Sequence, residues 1–200
     1  MAKGTPIHVH LLGDPDVKRF AEVAEKVCDL FERVDHLPKV QFLRQLEELL
    51  PLAYSLAHRI PDPYDWPDDE DKEWEPGEYE PRPEAMSQGD NLALWTDFRS
   101  RIIAKLGWHS RVHFVYDPVD PDDREVIDVD LPAELAGIYV DLKEGLMLYA
   151  RPSDEEKAQA LWDWRFEIAL GWGRKVAAAL LPVHSLIHNH YDEDDEVFDI

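Results

Sequence analysis

The chain has 200 residues, a formal net charge of −22, 44% hydrophobic residues and seven each of Trp, Tyr and Phe. A chain of this length forms one domain or at most two small ones and buries roughly 70% of the surface its unfolded form exposes, so it needs no covalent staple. Its one cysteine, Cys28, excludes a disulfide framework and a Cys-type zinc site, and its acidity excludes nucleic acid and anionic membrane as partners while favouring basic proteins, divalent cations or simply solubility.

The charge is localised. Residues 61–80 carry ten acids and one Lys, residues 117–130 seven acids and Arg124, and residues 192–200 six acids and no base. These three segments hold −21 of the −22, so the rest of the chain is nearly neutral. No uninterrupted apolar run follows the Met-Ala-Lys-Gly-Thr-Pro start, and the late apolar stretch Val176 to Val183 is short and contains Pro182. Neither a signal peptide nor a membrane span is expected, and a cytoplasmic location is the default.

Residues 1–13, with Ile7-His8-Val9-His10-Leu11-Leu12, read as an N-terminal arm or a stray strand. Asp14-Pro15 then opens a helix as N-cap and N1. Val17, Phe20, Ala21, Ala24, Val27, Cys28 and Phe31 follow at the 3.6 period to near Val34. A second helix starts at Pro38 with the stripe Leu43, Leu46, Leu50, Ala53, Ala57 and Ile60. Pro51 should kink it, and it stops before Pro61. Residues 61–90 form an acidic, Pro-rich loop, of which the aromatics Tyr64, Trp66, Trp74 and Tyr79 argue that part lies against the bundle.

Asp90 or Asn91 should cap a third helix with the stripe Leu94, Trp95, Phe98, Ile102 and Leu106, ended by Gly107. Alternation around Val112, Phe114 and Tyr116 suggests a short extended piece before the second acidic loop, 117–130. Asp130 can cap a fourth helix through Leu131, Leu135, Ile138, Leu142, Gly145 and Tyr149. Ser153-Asp154-Glu155-Glu156 is a capping box that opens the longest helix, 154–181. Apolar residues lie almost all round this last helix (Leu161, Trp162, Trp164, Phe166, Ile168, Leu170, Trp172), the pattern of a buried bundle centre. Gly171 and Gly173 imply close approach of a neighbouring backbone. Pro182 kinks or ends the helix, and His184 to His190 can add a turn. The expected architecture is all-α: a single five-helix, up-and-down-type bundle over residues 14–190, with an acidic tail at 191–200.

Chemistry-bearing residues are few. His184 and His188 stand four apart with His190 close behind, a spacing that lets two imidazoles on one helix face share a metal. His109 and His113 have the same spacing, but His113 falls in the extended segment. Surface histidines near a C-terminal end are the plainer explanation of both pairs. The Glu-x-x-His pair of di-iron bundles and the His-Glu-x-x-His metalloprotease motif do not occur. The Asp117–Asp130 segment fails the EF-hand template in spacing and lacks its Gly. Arg165 lies on the stripe of the last helix, where a buried guanidinium needs an acceptor. Asp141 is the first candidate, with Glu167 or Asp163 as local alternatives. Such a pair would fix the register of helices four and five or, with Tyr139 and Arg174, hold an anionic ligand.

The run Leu135-x-x-Ile138-Tyr139-x-Asp141-Leu142-Lys143-x-Gly145-Leu146, followed by Trp162-x-Trp164-Arg165-Phe166 and Trp172-Gly173-Arg174, resembles a bacterial family known only as a domain of unknown function (number five thousand and sixty-three). The Asp117-Pro118 step and the Leu-rich second helix add to the likeness, which covers roughly residues 17–187. The resemblance implies a small all-helical bacterial protein with no assigned activity. It also implies a His before the Trp-Gly pair, where this chain has Gly171, a departure that weakens an enzymatic reading. The acidic segment 61–80 is longer than the family's usual connection.

Two functional expectations follow. The first is a non-enzymatic interaction or accessory module, without cofactor, whose acidic segments contact a basic protein. The second is a bundle that binds a metal or a small anionic ligand, at His184, His188 and His190 or around Arg165 and Asp141.

Overall fold

A computed structural model describes residues 7–64, 83–115, 122 and 125–188. Six α-helices account for most of these residues: α1 (Pro15–Glu32), α2 (Lys39–Ala57), α3 (Gln88–Leu106), α4 (Leu131–Tyr149), α5 (Asp154–Leu170) and α6 (Trp172–His188). Two short strands, β1 (Arg111–Val115) and β2 (Val126–Asp130), pair antiparallel between α3 and α4, with His113 opposite Asp128. The extended piece expected around Val112 is therefore one arm of a hairpin, and the end of the second acidic segment is the other.

The helix starts follow from side-chain oxygens that accept otherwise orphaned backbone N–H groups. Asp14 accepts from Asp16 at 2.7 Å, Asp130 from Ala133 at 3.1 Å, and Ser153 from Glu156 at 3.5 Å. The third helix begins earlier than Asp90, because Ser87 is its cap and Asp90 is the residue whose N–H it accepts, at 3.1 Å. Gly107 ends α3 at φ 62°, a left-handed conformation that a Cβ disfavours.

The most buried helix is α4, not α5. Along α4, Leu131, Leu135, Ala136, Ile138, Tyr139, Leu142 and Leu148 are all buried, and the helix packs against α1, α3, α5 and α6. On α5, Leu161, Trp164 and Ile168 face the core, but Phe166 is 42% and Leu170 69% exposed. An apolar residue all round a helix is evidence of burial only while no other partner is needed for it; here one side of α5 reaches solvent. α2 packs against α1 and α6 rather than against α3, so the chain order is not a simple up-and-down sequence.

The single long helix expected over 154–181 is two helices. A Cβ on Gly173 would lie 1.9 Å from the Ile168 carbonyl oxygen, and one on Gly171 would lie 1.6 Å from a Glu167 carboxylate oxygen. The chain turns at this glycine pair, and α6 then runs through Pro182 to His188. Likewise α2 continues through Pro51. Proline removes only its own N–H and the clash it causes is local, so in both helices the packing of the buried stripe keeps the axis going.

Residues 7–13 are held in place. Ile7 bridges to Tyr64, the 3-10 turn Val9–Gly13 buries Leu12, and Tyr149 donates to the Leu12 carbonyl at 3.1 Å. Tyr64 is buried, as its place among the loop aromatics suggested. Trp66, Trp74, Tyr79, most of 117–125 and the tail 191–200 lie outside the described residues. No helix among those described is long and apolar enough to cross a membrane.

Where α4 meets α5, the Trp164 indole lies against Gly145, and a Cβ at that glycine would sit 2.0 Å from Trp164 Nε1. Gly145→Ala should therefore lose about 1–3 kcal/mol of stability through overpacking, despite the better helix propensity of Ala. Gly89→Ala, whose nearest obstacle is Ser87 Oγ at 3.7 Å, should cost nothing and gain under ~1 kcal/mol. Urea denaturation of the two variants checks the contrast.

Candidate metal centre and the charged pairs of the bundle

The polar residues expected to meet near Arg165 do not meet. Arg165 is exposed on α5; it donates to the Ile60 carbonyl at 3.0 Å and approaches Asp62 at 3.8 Å. It is thus neither buried nor paired with Asp141. The helical stripe through Leu161 and Ile168 passes to one side of position 165, so a residue midway in sequence is not midway on the buried face. Arg174 is also exposed, and Glu167 lies against the Gly171 turn.

Asp141 instead receives Lys175 Nζ, from α6, at 2.6 Å. The Lys175 stem crosses Gly137 on α4, where a Cβ would lie 3.0–3.1 Å from its outer atoms. Burial pushes the Asp141 carboxyl above its usual 3.8, and the lysine's charge and hydrogen bond oppose that rise. Tyr139 belongs to another group: its hydroxyl donates to Glu32 at 3.1 Å, and Lys143 Nζ donates to the same oxygen at 2.7 Å. The Lys143 hydrogen bond is the main reason Glu32 titrates below the ordinary glutamate value. Cys28, close by, has its thiol raised to about 12, mainly by burial, which disfavours the reactive thiolate. These pairs join α1 to α4 and α4 to α6.

The histidine pair stands differently. His184 and His188 occupy successive turns of α6, their ring centroids 4.4 Å apart. Facing them is Glu47 of α2, a residue that no sequence spacing singled out. Its Oε1 lies 2.7 Å from His184 Nδ1 and 3.6 Å from His188 Nε2. The ligand atoms of the three residues all lie within 4.8 Å of one another.

The packing of α2 on α6 creates this arrangement. Leu43, Leu46 and Leu50 of α2 and Val176, Ala179, Val183 and Ile187 of α6 are buried. Glu47 follows Leu46, while His184 and His188 follow Val183 and Ile187. Each donor is therefore one step round its helix from a buried residue, at the rim of the seam. The imidazoles are more than half exposed and the Glu47 side chain 32%. Two imidazoles and a carboxylate form a donor set suited to Zn²⁺ and similar divalent ions, with further coordination positions open to solvent. His190 lies outside the described residues. His113, in β1, pairs with Asp128 at 2.7 Å, and His109 is buried, so that pair shares no face.

Comparison with known proteins adds family and fold. The profile described as "Domain of unknown function (DUF5063)" matches residues 13–189. No functionally curated protein matches the chain. The crystal structure of protein BF1032 from Bacteroides fragilis is similar in fold, with a TM-score of 0.68 at 19% identity, covering 90% of this chain and 96% of that one.

Lys175→Met should raise the Asp141 titration further, because the influences that lower it come from Lys175. It should also cost about 1–3 kcal/mol by leaving a poorly solvated carboxylate without its donor. Adding Asp141→Asn should recover part of that loss, and carboxyl NMR titration with thermal denaturation reads both effects. Arg165→Ala, by contrast, should change stability by no more than about 1 kcal/mol, as the Arg165 side chain is 47% exposed.

Proposed function

We propose that this chain, which belongs to the DUF5063 family, is a metal-binding helical bundle that takes a divalent transition-metal ion through Glu47, His184 and His188. The observation that carries the reading is the convergence of three ligand-type side chains from two helices, with one ligand atom from each within 4.8 Å of the others. A lone i, i+4 histidine pair is common on helix surfaces. A carboxylate from a different helix, within 2.7 Å of one imidazole nitrogen and 3.6 Å of the other, supplies the third donor that a zinc-type site requires.

The site contains no nucleophile, and its donors stand on an open surface. Binding a metal there would tie α6 to α2 and leave coordination positions facing water. The role supported is therefore metal binding or metal-dependent docking within an accessory module, rather than catalysis.

The test is calorimetric titration of chelator-treated protein with Zn²⁺. One equivalent should bind, with a rise in thermal midpoint. Glu47→Gln and His184→Ala should each weaken binding by roughly 10–100-fold, taking the loss of a ligand as at least that of a supporting group. Binding that is absent, or unchanged in both variants, would sink the proposal.

A further inference from the structure

The outer face of α6 differs in charge from the rest of the bundle. Each of the other five helices contains acidic residues, whereas α6 contains none; its cations are Arg174 and Lys175. Lys175 is engaged by Asp141. The Arg174 guanidinium is exposed and has no ion pair among the described residues. Arg174, Ala177, Leu181, His184 and His188 follow one another at intervals of three and four, and all are exposed. They form one stripe along the helix, on the side away from the buried Val176, Ala179, Val183 and Ile187. Leu181, at the centre of the stripe, is 63% exposed.

The stripe is its own complement when read in the opposite direction. A two-fold axis beside Leu181 sets residues equally distant from it in sequence opposite each other. Leu181 then meets Leu181, the imidazole of His184 meets the small Ala178, and Ala177 meets the small Ser185. At each end Arg174 of one copy comes beside His188 of the other. That end holds an anion: Glu47 Oε1 lies 3.6 Å from His188 Nε2, and the Glu47 side chain is 32% exposed.

We infer that two copies of this chain associate through α6, antiparallel about Leu181, with Arg174 of each copy paired to Glu47 of the other. Two chains of net charge −22 repel each other unless they meet where no acid faces an acid, and α6 is the helix that allows it. A basic protein would find no acid on the stripe itself, and an acidic one would find no positive field beyond it. One helix pair is a small contact, so the association is weak and concentration-dependent. The inference does not need the metal reading. Zn²⁺ at Glu47 would compete with Arg174 for the carboxylate, so association is measured with chelator present.

Sedimentation velocity of the full chain over a range of concentrations should show a monomer–dimer equilibrium that tightens as salt screens the net charge. Leu181→Asp should weaken it about tenfold or more. Arg174→Glu and Glu47→Lys should each weaken it, and combining them should restore it, because the swapped charges again oppose each other across the two copies. Leu181 and Arg174 are exposed, so an unchanged thermal midpoint will show that their variants still fold.

A monomer at every concentration and salt would overturn the inference, leaving the face to another segment of the chain or to another protein. A dimer that Leu181→Asp does not weaken, or one that forms only when Zn²⁺ is added, would overturn it as well. Failure of the charge swap to restore association would do the same.

Discussion

The fold depends on how closely α5 can approach α4, and that approach is set by the indole of Trp164 lying in the space where Gly145 has no side chain. From there Trp164 meets Phe20 of α1 edge-on at 4.8 Å and Tyr149 of α4 at 5.6 Å. Phe20 in turn reaches Trp172 at the start of α6, 6.0 Å away. One aromatic cluster thus touches four helices, and α4, which carries the glycine, becomes the axis about which the others are arranged. The arrangement has a cost: the indole N–H of Trp164 is buried without a hydrogen-bond acceptor among the described residues. Shape complementarity and apolar burial, not polar satisfaction, hold this junction together.

Around that axis the ionic contacts are arranged at the edges of helix seams. Lys143 and Tyr139 converge on Glu32 between α4 and α1, and Lys175 meets Asp141 between α6 and α4. Arg99 of α3 meets Asp130, the cap of α4. Each fixes which turn of one helix lies beside which turn of the next, a matter of register more than of net stability. The same rim geometry places Glu47 beside the histidines. What separates that position from the others is chemistry: it has imidazoles in place of an ammonium or guanidinium, and so donors in place of permanent cations.

Much of the fold was legible in local pattern. The stripes of α1, α2 and α4 and the caps Asp14, Asp130 and Ser153 could be read directly, because they depend on residues within one or two turns. The break at Gly171 was not, since it arises from the Ile168 carbonyl and the Glu167 carboxylate, whose positions depend on how α6 docks. Arg165 was misplaced for a related reason: the pattern gives a face, but the boundary of that face depends on the neighbouring helix. The candidate site was half legible. The histidine spacing is a property of one helix, whereas Glu47 carries no sequence signal at all and becomes visible only once α2 lies against α6.

The contact between Glu47 and His184 joins positions 137 residues apart. During synthesis the carboxylate is made early, while the imidazoles belong to the final helix of the described bundle. The pair can form only after both positions have been made and α6 has packed against α2, so it reports that docking: any chain that stops before residue 184 keeps the carboxylate and lacks the imidazoles. A cleavage or frameshift between Trp172 and His184 would leave every residue of the aromatic cluster in the chain yet erase this contact entirely.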